Sequence, residues 1–178
     1  EVNLGDAAES LKAEFAAEDF IVFRKLPGTI VIRVLERLPV ALINVGKLVG
    51  VDDDGVPLPH IGADMVDTLP IITGVRSIAS LSDPEVKKRL LTGLRFLDAI
   101  TAQAPGVQKR ISEINISNSS TMGFNLIDTG LEVIIGESGW AEKLPNLEKV
   151  ITQVTGRTDT IRVLDMRIGE KIYLKKSN

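Results

Sequence analysis

The chain has no cysteine, which excludes a disulfide framework, thiol catalysis and thiolate metal sites. The compartment stays open, because larger secreted domains manage without disulfides. Aromatics make up only 4% of the 178 residues, and 21 Lys and Arg stand against 24 Asp and Glu, a net charge of −3. Without a basic field or many rings to stack on bases, nucleic-acid binding is not expected. The one histidine, His60, has no second His or Cys with which to share a metal and no recognisable partner as a general base. It reads as a loop residue. Long apolar runs are missing too. The best candidate, Leu38 to Val51, is broken by Asn44 and Lys47 and falls short of the roughly 18 residues that span a bilayer. The sequence opens at Glu1 rather than Met, so it is expected to be a piece of a longer protein, with any targeting or anchoring segment cut away.

What is present is 44% hydrophobic, enough for one or two cores. Residues 5–19 read as a short amphipathic helix with Asp6 as N-cap. Phe20–Arg24 and Thr29–Arg37 read as strands joined by a turn at Pro27-Gly28. Pro39 cannot donate to a central ladder, so the chain is expected to leave one sheet there, with a domain boundary near Leu38. Val40–Val45 and Lys47–Asp52 resume as strands, with a turn at Asp54-Gly55. Residues 57–74 are rich in Pro and Gly and read as a surface loop ending in a short segment, Leu69–Ile72. The spacing predicts a helix over 82–103, with Ser82 and Glu85 in capping-box register, Pro84 in the first turn, and Val86, Leu90, Leu94 and Leu97 as its stripe. Strands follow at Ile111–Ser117, Gly123–Ile127 and Leu131–Ile135, then a helix over 142–155. Thr160–Ile168 and Lys171–Lys175 close the chain as a hairpin turning at Gly169-Glu170. The fold class is α+β. A helix plus β-hairpin, the tail of a small domain, is followed by a mostly antiparallel β domain with two helices.

The chemistry-bearing residue types form few constellations. Asp52, Asp53 and Asp54 lack the alternation and distal glutamate of a calcium loop and read as a solvated turn. Ser117, Ser119, Ser120 and Thr121 have no activating base or oxyanion hole in reach. The glycines at 28, 46, 50, 55 and 62 form no phosphate fingerprint. No catalytic residue, metal site or cofactor is assigned. Trp140 is the only tryptophan and could equally anchor a partner or staple the start of a helix. The C-terminal hairpin is a candidate sheet edge, able to accept a strand from another protein or merely guarded by Lys171, Lys175 and Lys176.

Several segments together resemble the FtsQ/DivIB family of bacterial division proteins. Lys25, Leu26, Pro27, the strand 29–35, Glu36, Arg37, Pro39, Val40 and Ala41 match its junction motif. "LVGVDDDGVPL", "LPIITG", "ISEINI", "LEVIIG", "KLPNLEKVI" and "VLDMRIGEKIYLK" follow in the family's order. The resemblance covers nearly the whole chain. It implies that residues 1–38 are the C-terminal part of a POTRA domain and residues 39–178 the family's β domain. It also implies a non-enzymatic divisome scaffold that binds FtsB-like and FtsL-like partners by strand addition at its C-terminal edge and other divisome proteins through POTRA. A single-pass membrane anchor is expected upstream, with this region on the extracytoplasmic side at the division septum. The partner-binding residues carried over are Arg167, Ile168, Gly169, Lys171, Ile172, Tyr173 and Leu174. Arg167 is expected to pair with a partner carboxylate, and Asp165 to be structural. The competing reading is a POTRA-type chaperone-like module of an outer-membrane assembly or secretion protein.

Overall fold

A computed structural model describes residues 17–58, 61–118, 120–136, 138–156, 161–168 and 172–176. Strands β1 (Ala17–Lys25) and β2 (Thr29–Glu36) form an antiparallel hairpin with its own two-stranded sheet. The register sets Phe20 opposite Val34, Val22 opposite Ile32 and Arg24 opposite Ile30, so one face of the hairpin carries five apolar residues with Arg24 at its turn end. Most of the expected helix over 5–19 lies outside the described residues, but Ala17–Asp19 belong to β1, because they continue the pairing opposite Leu35 and Glu36.

The remaining strands make a nine-stranded sheet. They are β3 (Ala41–Asn44), β4 (Leu48–Val51), β5 (Pro57–Leu58), β6 (Ile71–Thr73), β7 (Ile111–Asn115), β8 (Thr121–Leu126), β9 (Glu132–Gly136), β10 (Ile161–Asp165) and β11 (Tyr173–Lys176). Their order across the sheet is β11-β10-β9-β8-β7-β6-β3-β4-β5. Most neighbours are antiparallel, while β3 with β6, β6 with β7, and β9 with β10 run parallel. Parallel neighbours need a crossover. Helix α2 (Pro84–Gln103) carries the chain from β6 to β7, and α4 (Leu144–Thr155) carries it from β9 to β10. The short turns α1 (Ala63–Val66) and α3 (Pro105–Gln108) complete the helices.

Segment 57–74 is the main departure from the sequence reading, which made it a surface loop. It supplies edge strand β5, turn α1 and β6, a strand in the middle of the sheet with Ile72 fully buried. Three residues between Pro70 and Gly74 are too few to show a period. Gly74 has φ +104°, and a Cβ there would lie 2.4 Å from the Ser117 backbone nitrogen, so only glycine suits this exit from β6.

Helix α2 begins one residue later than the capping-box reading placed it. Asp83 is the N-cap, its carboxylate accepting from the Glu85 N–H at 2.8 Å. The residue pair with reciprocal capping is Ser77 and Ser80, in the 3-10 turn Ile78–Ser82 just before. The buried stripe of α2, Leu90, Leu94 and Leu97 with Phe96 and Ile100, and that of α4, Leu144, Leu147, Ile151 and Val154, pack on one face of the sheet. There they meet Ile72, Ile114, Phe124, Val133, Ile135 and Leu164. Trp140 stands edge-on to Phe96 at 5.7 Å, so it packs against this core just ahead of α4.

A charged cluster of three residues links the hairpin to the larger sheet. The Arg37 guanidinium, directly after β2, donates to the Asp52 carboxylate and to Asp54 at 3.2 Å. Asp52 is 2% exposed, and its other oxygen accepts from the Val56 N–H at 2.7 Å. The reading of Asp52–Asp54 as a solvated turn therefore holds only for Asp53 and Asp54. Sequence alone did not show that a cation 15 residues upstream would reach the first carboxylate.

Candidate functional site

The C-terminal end of the sheet gathers the described residues that the sequence reading placed in a site. Among the described residues, β11 pairs with β10 and has no neighbour on its other side. The opposite edge strand, β5, begins with Pro57, which lacks an N–H to offer. β11 carries no proline, so its outward N–H and C=O groups form a usable ladder template.

The register sets Tyr173 opposite Asp165, Leu174 opposite Leu164, and Lys175 opposite Val163. Leu164 is fully buried, while Leu174 beside it is 50% exposed, because no strand among the described residues continues the sheet past β11. Ile168, Ile172 and Tyr173 are exposed as well. Four large apolar side chains thus stand in solvent around one open edge. Gly169 and Lys171 lie outside the described residues. The connection also differs from the two-residue turn expected at Gly169-Glu170. β10 ends at Asp165 and β11 starts at Tyr173, so Met166–Ile172 lie between the strands and Ile168 is not part of one.

Arg167 folds back onto Asp165. Its Nε donates to both carboxylate oxygens at 2.9 and 3.0 Å, and its Nη2 donates to Oδ2 at 2.6 Å. The Arg167 backbone N–H adds a fourth bond at 3.1 Å. Arg167 holds the Asp165 carboxyl below the usual carboxylate range, against the opposing push of burial. Asp165 in turn raises Arg167. This clasp braces the start of the connection, and the Lys143 ammonium, just ahead of α4, donates to the Met166 carbonyl next to it. A guanidinium has five N–H donors. The Nε–H and one Nη2–H are used here, so the fork can hold Asp165 and still present donors outward.

The other candidates do not converge. Ser117 is bonded to Asn115, and the Ser120 N–H donates to Asn118. His60 and Ser119 lie outside the described residues. The carboxylate oxygens of Asp52, Asp53 and Asp54 come within 4.8 Å of one another, but Asp52 and Asp54 are already paired with Arg37.

A mixed sheet with both long helices on one face and β11 at its edge defines an α+β domain. Comparison with known proteins makes the assignment specific. Residues 41–167 match the family model described as "Cell division protein FtsQ/DivIB, C-terminal", and the chain belongs to that family. Proteins named Cell division protein FtsQ are similar along most of it. The one from Geobacter sp. is 30% identical over 161 residues, 89% of this chain and 58% of that protein. The one from Geotalea daltonii is 28% identical over 157 residues, covering 87% and 57%. The one from Myxococcus fulvus is 27% identical over 137 residues, covering 76% and 48%. The chain therefore spans about half the length of the curated relatives it matches.

Proposed function

We propose that this chain acts in cell division as a non-enzymatic scaffold that receives a strand from an FtsB-like or FtsL-like partner at β11. The observation that carries this reading is the unpaired side of β11, rimmed by exposed Ile168, Ile172, Tyr173 and Leu174. Main-chain hydrogen bonds to the edge supply affinity, and the apolar side chains supply pockets for alternate partner residues. Arg167, held in place by Asp165, turns its remaining donors toward a partner carboxylate. The family resemblance adds Gly169 and Lys171, which lie outside the described residues. Residues 1–38 form the C-terminal part of a POTRA domain that contacts other divisome proteins, and residues 39–178 form the β domain. A single-pass anchor upstream holds this region on the extracytoplasmic side of the plasma membrane at the septum.

Titration with the extracytoplasmic segments of the host's FtsB and FtsL homologues tests this. Tyr173→Ala and Arg167→Glu should each weaken binding by about tenfold or more, as buried aromatic and arginine anchors do; Tyr173→Ala keeps the wild-type melting curve, while Arg167→Glu, which also undoes the Asp165 clasp, lowers it slightly without unfolding the chain. Unchanged affinity in both variants removes the site from this edge.

A further inference from the structure

The face of the sheet opposite the helices has its own pattern. Because side chains alternate along a strand, burial of Ile72, Val133, Ile135 and Leu164 on the helix side turns Ile71, Ile134 and Val163 the other way. At the β3–β4 end this second face is closed. Leu42 there is fully buried, and a Cβ on its partner Gly50 would meet Ile61 and Pro39. From β6 to β10 the second face stays partly open, with Ile71, Ile134 and Val163 half-buried.

The register draws one row straight across this open part: Ile71, Glu113, Asn125, Glu132, Val163 and Lys175. The next row includes Thr73, Ile134, Asp165 and Tyr173. Three carboxylates stand in these rows, and the one cation, Lys175, is at the outer edge. Asp165 is occupied by Arg167. Glu113 is half-buried and oriented by the Thr73 hydroxyl, which donates to its Oε1 at 2.6 Å. No second hydrogen bond or ion pair engages it among the described residues. Glu132 is exposed.

We propose that this face is a second docking surface, independent of the β11 edge, for a cationic amphipathic helix of a partner protein. The backbone groups of β6–β10 are turned into the sheet's own ladders, so a ligand here meets side chains only. Glu113 and Glu132 lie two strands apart, about 10 Å at the usual strand spacing. Lys or Arg at positions i and i+7 of a helix are separated by about 10.5 Å, which matches. Asn125 lies between the two carboxylates, and Ile71, Val163 and, in the next row, Ile134 give the apolar residues of such a helix a floor beside them. Half-burial of Glu113 strengthens its attraction for a cation relative to a fully solvated pair.

The test uses a stapled 14-residue helical peptide with Leu on one stripe and Lys at i and i+7, and a control with Glu in place of each Lys. Amide shift mapping on the whole chain should show the Lys peptide moving Ile71, Glu113, Asn125, Glu132 and Ile134, with affinity falling as salt rises. The control should leave these amides still. Glu132→Lys, at an exposed position, should weaken the Lys peptide by about tenfold. Glu113→Gln, which keeps the Thr73 bond, should weaken it as well. The proposal is overturned if these amides do not move at millimolar peptide. It is also overturned if both peptides bind alike or if the shifts fall only on the hairpin or on β11.

Discussion

Strand β2 and strand β3 are built from the same kinds of residue and end in opposite surroundings. Ile30, Ile32 and Val34 on β2 are 44, 50 and 49% exposed, whereas Ala41, Leu42 and Ile43 on β3 are fully buried. Only four residues separate the two strands. The difference lies in what is next to them. β3 sits between two neighbours in a nine-stranded sheet, with helices on one face and, beside its partner Gly50, Ile61 and Pro39 on the other. Among the described residues β2 has a single partner, and a two-stranded hairpin is marginal on its own in water. β-branched residues make a strand, but the number of layers around it decides whether the strand is core.

Substitutions should separate the two regions by size of effect. Phe124→Ala in the large sheet should cost about 3–5 kcal/mol in a denaturant titration, enough to threaten folding at 37 °C, while Ile32→Ala on the hairpin should cost less than about 1 kcal/mol. Comparable losses would mean that the hairpin face is as deeply covered as the sheet core. Arg37→Ala comes next. It strips the counter-charge from buried Asp52 and should cost about 2–3 kcal/mol, with Arg37→Lys recovering part. Asp54→Asn, at the exposed end of the same link, should change stability by no more than about 0.5 kcal/mol. The smallest effect is the acid dependence of the Asp165–Arg167 clasp. The folded-state pKa of Asp165 is lowered, so its contribution is complete above its unfolded value of about 3.9 and is lost as pH falls through the folded value. Stability between pH 5 and 8 should be the same in wild type and Asp165→Asn after a constant offset. The two curves should converge only below about pH 4.

Much of this architecture is legible from local pattern. Pro39 marks the point where the chain passes between sheets, since the hairpin ends at Glu36 and the larger sheet begins at Ala41. The stripe Leu90, Leu94 and Leu97 identifies α2 and its buried face. The family motifs around 25–41 and 163–175 led to the β11 edge. Other features depend on distant partners. β6 is only three residues long, and its place between β3 and β7 is fixed by pairing with Leu42, Ile43 and Glu113–Asn115, which no local window contains. The burial of Asp52 depends on Arg37, 15 residues away. The clasp of Arg167 on Asp165 is local, and an Asp-x-Arg spacing could have suggested it. The open-face row from Ile71 to Lys175 joins six strands and exists only once the register is set.

Amide hydrogen exchange over residues 161–176, with and without the FtsB-like and FtsL-like segments, tests the central claim most directly. Within β11, the amides that bond to β10 are already protected, and those facing outward are not. Strand addition predicts new protection at alternate residues of Tyr173–Lys176 when partner is bound, with β5 at the opposite edge unchanged. Binding that leaves β11 exchange as it was in the free chain would contradict the account.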